Sequence, residues 1–332
     1  MINVGINGFG RIGRFVLKYS LGKEEINVVA VNDITSPKVL SHLFKYDSVH
    51  GKYKGKVSHT DHSIIIDGKE IKVFAEKSPE LIPWEETNVD IVVEATGRFR
   101  TYELASLHLK RKVKKVIISA PAKGNTPVPT IVLGVNENIL ISSDKVVSNA
   151  SCTTNCFAPL IDVLNKKFTV KYIHMSTIHS YTNDQRILDS PHADLRRARA
   201  AAVSMIPTTT GAAKAIQIIF PSLKNKVTAI AVRVPTPDVS IVDMVCEIEE
   251  NTTVEEVNKN YKEAANTYLK GILDYTEEEL VSTDLIGNTH SAIVDAKMTK
   301  VTGNLIKVFA WYDNEAGYSK RIVDLIKYIS NL

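Results

Sequence analysis

Cysteine is scarce in this chain, with three in 332 residues, and so is tryptophan, with two. Three thiols, two of them only four residues apart at Cys152 and Cys156, exclude a disulfide framework and suit a reducing, cytoplasmic setting. Surplus charge is equally thin. Lys plus Arg number 41 against 37 Asp plus Glu, and the resulting +4 points to no nucleic-acid partner. No run approaches the roughly 18 apolar residues of a membrane span, so no membrane partner is expected either. No repeat, low-complexity tract or flexible linker interrupts the sequence, and the two halves should pack closely. The N-terminus, Met-Ile-Asn-Val-Gly, passes directly into a strand pattern, and no signal peptide is expected there. What remains is globular composition, 44% hydrophobic and 23% charged, which excludes disorder and collagen-like structure. At roughly 100–200 residues per domain, the length suggests two domains.

The opening INVGINGFGRIGRFVLKYS reads as strand, glycine turn and helix, with Ile12, Phe15, Val16 and Tyr19 on one helical face. A second buried-strand pattern, residues 26–31, ends at Asn32-Asp33, completing a βαβ unit of the kind that builds parallel sheets. Further strands are expected at residues 63–66 and 71–74 around an Asp-Gly turn, then at 89–94, 116–119 and 130–135, with a helix over 102–111. After the polar run Asn149 to Cys156 the texture changes. A helix is expected at 157–167, followed by long alternating strands at 172–179, 227–234, 239–249 and 305–312 that suggest an antiparallel sheet. Helices are expected at 211–220, 254–268 and 318–329. Residues 180–204, polar and rich in arginine, read either as a functional segment or as a solvated surface loop.

Two patterns carry chemistry. Gly8, Gly10 and Gly13 fit G-x-G-x-x-G between a strand and a helix, with the acid Asp33 ending the next strand. In such a turn the backbone approaches a pyrophosphate at a helix N-terminus, and the acid binds an adenosine ribose while repelling a 2′-phosphate. An ordinary βα turn with a turn-capping Asp33 is the plain alternative. Cys152 should lie in the first turn of a helix, where the helix dipole favours a thiolate, with Ser151, Thr153 and Thr154 as neighbouring donors. An inert buried cysteine is the alternative for Cys152. Cys156 with Cys152 lacks the further ligands of a tetrahedral metal site, so no metal is expected, and Cys246 reads as packing. Among nine histidines, His174 and His179 flank a strand pattern, and His179 opens the arginine-rich segment, which favours it as the base for Cys152, with a structural or solvent-facing role as the alternative.

The segments INGFGRIGR, SNASCTTNC, HSYTNDQRILD, RRARAA, PTTTGAAKA, RVPTPDVS and WYDNEAGYS resemble, in order and across the chain, the phosphorylating glyceraldehyde-3-phosphate dehydrogenases of bacterial and plastid type. The resemblance implies an α/β fold. An N-terminal NAD-binding Rossmann domain, 1–150, is completed by a C-terminal helix at 315–332, and an α+β catalytic domain with a largely antiparallel sheet spans 151–314. It implies that Cys152 attacks the aldehyde of glyceraldehyde 3-phosphate, that His179 takes the proton, and that inorganic phosphate cleaves the resulting thioester. Thr182, Arg197 and Arg233 are implied for the substrate phosphate, and Ser151, Thr153, Thr210 and Gly211 for the attacking phosphate. Thr210-Gly211 as a mere helix cap and Arg233 as a sheet-surface charge stay open. Toward NAD the resemblance implies Gly8, Gly10, Arg11, Ile12 and Gly13 at the pyrophosphate turn, Asp33 at the ribose, Lys77 on the adenine side, Ser119 near the nicotinamide and Asn314 at its carboxamide. Lys77 stands where many members have Arg. Asp189-Ser190-Pro191 mixes NAD-type and NADP-type patterns, with Asp33 and Pro191 implying preference for NAD. Members are usually cytoplasmic homotetramers. The rival readings are an erythrose-4-phosphate dehydrogenase, which the intact Thr209-Thr210-Gly211 disfavours, and a non-enzymatic NAD-binding or adhesion protein, which the pair Cys152 and His179 disfavours.

Overall fold

The computed structural model describes residues 1–110 and 112–332, and the chain divides into two compact units. One comprises Met1–Ile131, Glu137–Ala150 and Ser319–Leu332; the other comprises Val132–Asn136 and Ser151–Tyr318.

In the first unit, β1 (Ile2–Asn7) leads through the glycine turn into α1 (Arg11–Ser20) and β2 (Ile26–Asn32). There follow α2 (Pro37–Lys45), the short β3 (Tyr46–Asp47) and β4 (Gly51–Lys52), then β5 (Val57–His59), β6 (Ser63–Ile66) and β7 (Lys69–Phe74). The unit continues with β8 (Ile91–Glu94), α3 (Tyr102–Ser106), β9 (Lys115–Ile118) and β10 (Val146–Ser148). Eight strands form one sheet in the order β10-β9-β8-β1-β2-β7-β6-β5. The first six run parallel, and the β5–β6–β7 edge is antiparallel. This is the parallel sheet expected from the βαβ opening, with β1 near its centre. The buried face of α1 is Gly13, Phe15, Val16, Leu17 and Ser20, rotated from the expected face: Ile12 and Tyr19 are only half-buried. Gly13 sets that rotation. A Cβ there would lie 2.2 Å from the Gly8 carbonyl oxygen and 3.2 Å from Ile6, so only a glycine lets the helix come so close to the strand.

Two expectations fail in this unit. Residues 130–135 form no strand: Thr130 makes an isolated bridge to Ser148, and the chain then turns. Pro127 and Pro129, which lack N–H groups, precede it and limit ladder formation. The helix expected over 102–111 ends at Ser106, and Arg111 lies outside the described residues. The chain turns because His108 is drawn wholly inside, accepting the indole N–H of Trp84 at Nδ1 (3.1 Å). Its Nε2 then carries the proton and faces Glu94 Oε2 at 3.1 Å. Glu94 also accepts from Asn7 Nδ2 (2.6 Å), and Asn7 Oδ1 accepts from Asn32 Nδ2 (2.8 Å). The carboxyl ends of β1, β2 and β8 are thereby tied together.

The second unit opens with α4 (Cys152–Lys167), longer at its start than the apolar pattern suggests. Next come β11 (Val170–Ser180), β12 (Ile206–Thr209), α5 (Ala212–Ile219), β13 (Val227–Val234) and β14 (Ser240–Ile248). Then follow α6 (Val254–Asn266), β15 (Leu273–Thr276), β16 (Ala292–Thr302) and β17 (Leu305–Tyr312). Seven strands make a sheet in the order β12-β13-β11-β14-β17-β16-β15, antiparallel except at β11–β13 and β15–β16. The largely antiparallel sheet is as expected. The strand β16 went unread in the sequence because its pattern is broken: its register against β17 shifts between Asp295 and Lys300. The C-terminal helix α7 (Ala316–Ser330) begins in the second unit and passes to the first after Tyr318. Within the second unit its first turn packs closely, since a Cβ on Gly317 would meet the His290 carbonyl oxygen at 2.5 Å. Among the described residues no helix is long and apolar enough to cross a membrane.

Candidate active site

The polar run before α4 forms a sharp corner. Ala150 is buried with φ of 55°, a conformation few side chains adopt, and it reverses the chain into the helix. Ser151 caps the helix: its Oγ accepts from Thr154 N (3.0 Å) and lies 2.7 Å from Thr154 Oγ1. Cys152 is therefore the first helical residue, partly exposed, and its Sγ lies 3.5 Å from His179 Nε2. Burial pushes the Cys152 thiol up, against the pull of the Arg233 guanidinium and the groups of Thr153. Desolvation at Cys152 thus opposes the thiolate that its place at the start of a helix favours. Cys156 and Cys246 are buried with thiols raised by desolvation, and all three cysteines are free.

His179 projects from the end of β11, paired across the ladder with Arg233 on β13. It is 3% exposed, and burial, then the Arg233 guanidinium, lowers its pKa to about 3. Nδ1 lies 2.7 Å from the Ser180 carbonyl oxygen and 2.8 Å from Arg233 Nη1, which itself donates to the same oxygen at 3.0 Å. A carbonyl has two lone pairs, so it accepts both the Nδ1 proton and the arginine proton. Nε2 is then left bare toward Cys152, and burial, together with the adjacent cation, keeps the ring neutral. Tyr312 braces the pair. Its hydroxyl is 2.9 Å from both Thr153 Oγ1 and Thr177 Oγ1, and its ring meets the His179 ring edge-on at 5.9 Å. A buried tyrosine at a strand end carried no sequence signal of this role.

The expected phosphate residues fall into two groups. Arg233 and Arg197 both act electrostatically on His179 and on each other, which places the cations around the cysteine–histidine pair. Arg197 donates to Thr208 Oγ1 (3.0 Å) and the Thr209 carbonyl (3.2 Å), and it forms an ion pair with Asp184. Thr182 is half-buried, its N–H on Gln185 Oε1 at 3.3 Å. Thr210 and Gly211 stand at the start of α5. Thr210 Oγ1 accepts from Ala212 N, and Gly211, as N-cap, offers no side-chain cap. The hydroxyls of Ser151 and Thr153 are already engaged, one with the helix cap and one with Tyr312.

In the first unit, the turn before α1 fits a dinucleotide. Gly8 adopts φ of 90°, and a Cβ there would strike Thr96 N at 2.8 Å, whereas a Cβ on Gly10 would meet nothing within 4 Å. The backbone at Gly10 is thus open, and α1 begins with no side-chain cap, leaving its first N–H groups for an anion. Asp33 follows β2, its carboxylate accepting from Phe9 N (2.9 Å) and Thr35 N (3.0 Å), so it is fixed beside this turn. Arg11 pairs with Asp47 at 2.5 Å, Ile12 is half-buried, Lys77 is exposed after β7, and the Ser119 N–H bonds the Glu94 carbonyl (2.9 Å). In the second unit, Asn314 follows β17 and is 6% exposed, its Oδ1 accepting from the hydroxyls of Ser180 (2.8 Å) and Ser240 (2.7 Å).

Residues 2–102 match the model of the glyceraldehyde 3-phosphate dehydrogenase NAD binding domain, and residues 151–314 match that of its C-terminal domain. The chain is 56% identical to glyceraldehyde-3-phosphate dehydrogenase 1 of Bacillus cereus over 333 residues, covering all of this chain and 99% of that protein. It is 56% identical to the Geobacillus stearothermophilus glyceraldehyde-3-phosphate dehydrogenase (99% and 98% covered) and 55% identical to that of Thermotoga maritima (99% of each).

Proposed function

The chain belongs to the glyceraldehyde-3-phosphate dehydrogenase family, and from that premise we propose that it oxidises D-glyceraldehyde 3-phosphate with NAD and inorganic phosphate to 1,3-bisphosphoglycerate. The observation that carries the reading is Cys152 Sγ at the start of α4, 3.5 Å from the bare Nε2 of His179. As the sulfur attacks the aldehyde carbon, its proton passes to Nε2, and the new C–S bond leaves an oxyanion on the substrate. The Cys152 N–H, unpaired within the helix at this position, and the protonated Nε2 are the donors for that oxyanion. Arg233 and Arg197 hold the substrate phosphate, with Thr182 beside them. A dianion on Arg233 cancels the cation against His179, so the imidazole becomes more basic when substrate is present. The aldehyde's own phosphate thus readies the base.

Gly8, Gly10, Arg11, Ile12 and Gly13 hold the NAD pyrophosphate, Asp33 its ribose, Lys77 and Ser119 flank it, and Asn314 meets the carboxamide. When bound, NAD supplies the hydride acceptor that turns the thiohemiacetal into a thioester. Ser151, Thr153, Thr210 and Gly211 then guide inorganic phosphate to the acyl carbon. Its oxygen forms the new bond, the C–S bond breaks, and the sulfur recovers its proton from Nε2. Asp33 supports a preference for NAD over NADP, and three free thiols suit a cytoplasmic setting. A homotetramer is the expected assembly.

The test is NADH production from glyceraldehyde 3-phosphate and phosphate. Cys152→Ser should lower kcat about 10³-fold or more, and His179→Asn about 10²- to 10⁴-fold. Near-normal turnover by Cys152→Ser, or turnover independent of phosphate, would overturn the reading.

A further inference from the structure

Ser180 and Ser240 lie side by side at the ends of β11 and β14, 0% and 1% exposed. The Ser180 N–H donates to Ser240 Oγ (3.1 Å), and both hydroxyls converge on Asn314 Oδ1 at 2.8 and 2.7 Å. Their spacing decides which way the amide faces. Each buried hydroxyl has a proton that needs an acceptor, and water does not reach Ser180. Among the described residues, the only other acceptor within reach is the partner hydroxyl, at 3.4 Å. If the amide presented NH₂ to the serines, at least one hydroxyl proton would have nowhere to go. With Oδ1 inward both are satisfied, because a carbonyl oxygen accepts twice. The NH₂ is then turned away from the serines, and Nδ2 bonds to no other described residue.

We infer that Ser180 and Ser240 are positioning residues for the nicotinamide: by locking the Asn314 amide they fix it as a donor, and so fix which face of the ring is presented for hydride transfer. The inference rests on the reading that Asn314 meets the carboxamide. Ser180 has a second part, because its carbonyl accepts the Nδ1 proton of His179. One residue at the end of β11 therefore orients the base through its backbone and the cofactor anchor through its side chain. Neither serine is expected to touch substrate or cofactor.

The experiment uses Ser180→Ala/Ser240→Ala, Asn314→Asp and Asn314→Ala in the full-length protein, with aldehyde deuterated at C1, NAD and phosphate. It reads NAD affinity by titration calorimetry and the face that carries deuterium in the reduced nicotinamide by NMR. The double serine variant should bind NAD about tenfold more weakly, the scale of one oriented hydrogen bond, and should place deuterium on both faces. Its kcat should keep the wild-type pH profile, since the Ser180 carbonyl is untouched. Asn314→Asp keeps the packing and both accepting bonds but cannot donate outward, and should show the same losses even if the double variant does not fold. Single-face transfer with unchanged affinity in the serine variant, alongside losses in Asn314→Ala, would overturn the positioning role alone. No change in Asn314→Ala would overturn the carboxamide reading and this inference with it.

Discussion

His179 shows how a few ångströms of environment set a side chain's chemistry. Burial and the neighbouring guanidinium hold its folded-state pKa near about 3, against 6.5 in the open chain. Between those values the unfolded state binds a proton that the folded state refuses. Stability is therefore fully present above pH 6.5 and is lost as the pH falls toward 3, with a slope approaching one proton. Urea unfolding across pH 5–7 should show this slope in the wild type. His179→Asn should remove about one proton of it, and an unchanged slope would mean that the ring is not held neutral. Cys152 and His179 were legible in the sequence because a helix start and a strand end mark them. Tyr312, Ser180 and Ser240 were not, because a hydroxyl inside a strand reads as ordinary polar alternation until its partners are known.

The element on which the proposed cofactor site rests is the β1–α1 turn, and its glycines differ in their surroundings. Gly13 is needed for the fold, because an added methyl would lie 2.2 Å from a backbone oxygen that cannot move aside. Gly10 has empty space beside it, so its bareness matters only to a ligand. Gly13→Ala should unfold at lower temperature and bind NAD weakly. Gly10→Ala should keep its melting temperature within about 2 °C, as expected for a change away from any packed feature, yet lose NAD affinity at least about tenfold as the pyrophosphate is held off. Equal thermal losses in both would mean that the close helix–strand approach is not what Gly13 serves. Periodicity located α1 but misjudged its buried face, because the rotation is set by a close contact that hydrophobicity does not encode. Likewise the corner at Ala150 extends α4 back to Cys152, five residues before its apolar pattern begins.

At the scale of the molecule, residues 180–205 expose Ile187, Leu188, Leu195, Val203 and Met205, each at least 76% accessible in the single chain. These exposed apolar side chains on one segment are the surface on which the proposed assembly would rest. Sedimentation velocity should give a homotetramer, and Leu195→Asp with Val203→Asp should shift it toward smaller species; a wild-type monomer would refute the assembly. The two sheets were readable as classes, parallel in the first unit and mainly antiparallel in the second, because one follows from βαβ order and the other from long alternation. Strand β16 was hidden by its register shift, and the span 130–135 misled because an apolar run after two prolines looks like a strand without forming a ladder. The scarcity of tryptophan turns out to be useful. Trp84 lies in the first unit, 2% exposed with its indole N–H on His108, and Trp311 lies in the second, its indole N–H on Asp295 Oδ2 at 3.2 Å. The protein thus carries one tryptophan per unit, each in a different polar setting and excitable apart from the tyrosines. Replacing either by phenylalanine leaves an optical reporter of the other, so the melting of the cofactor unit and of the catalytic unit can be followed separately in one intact chain.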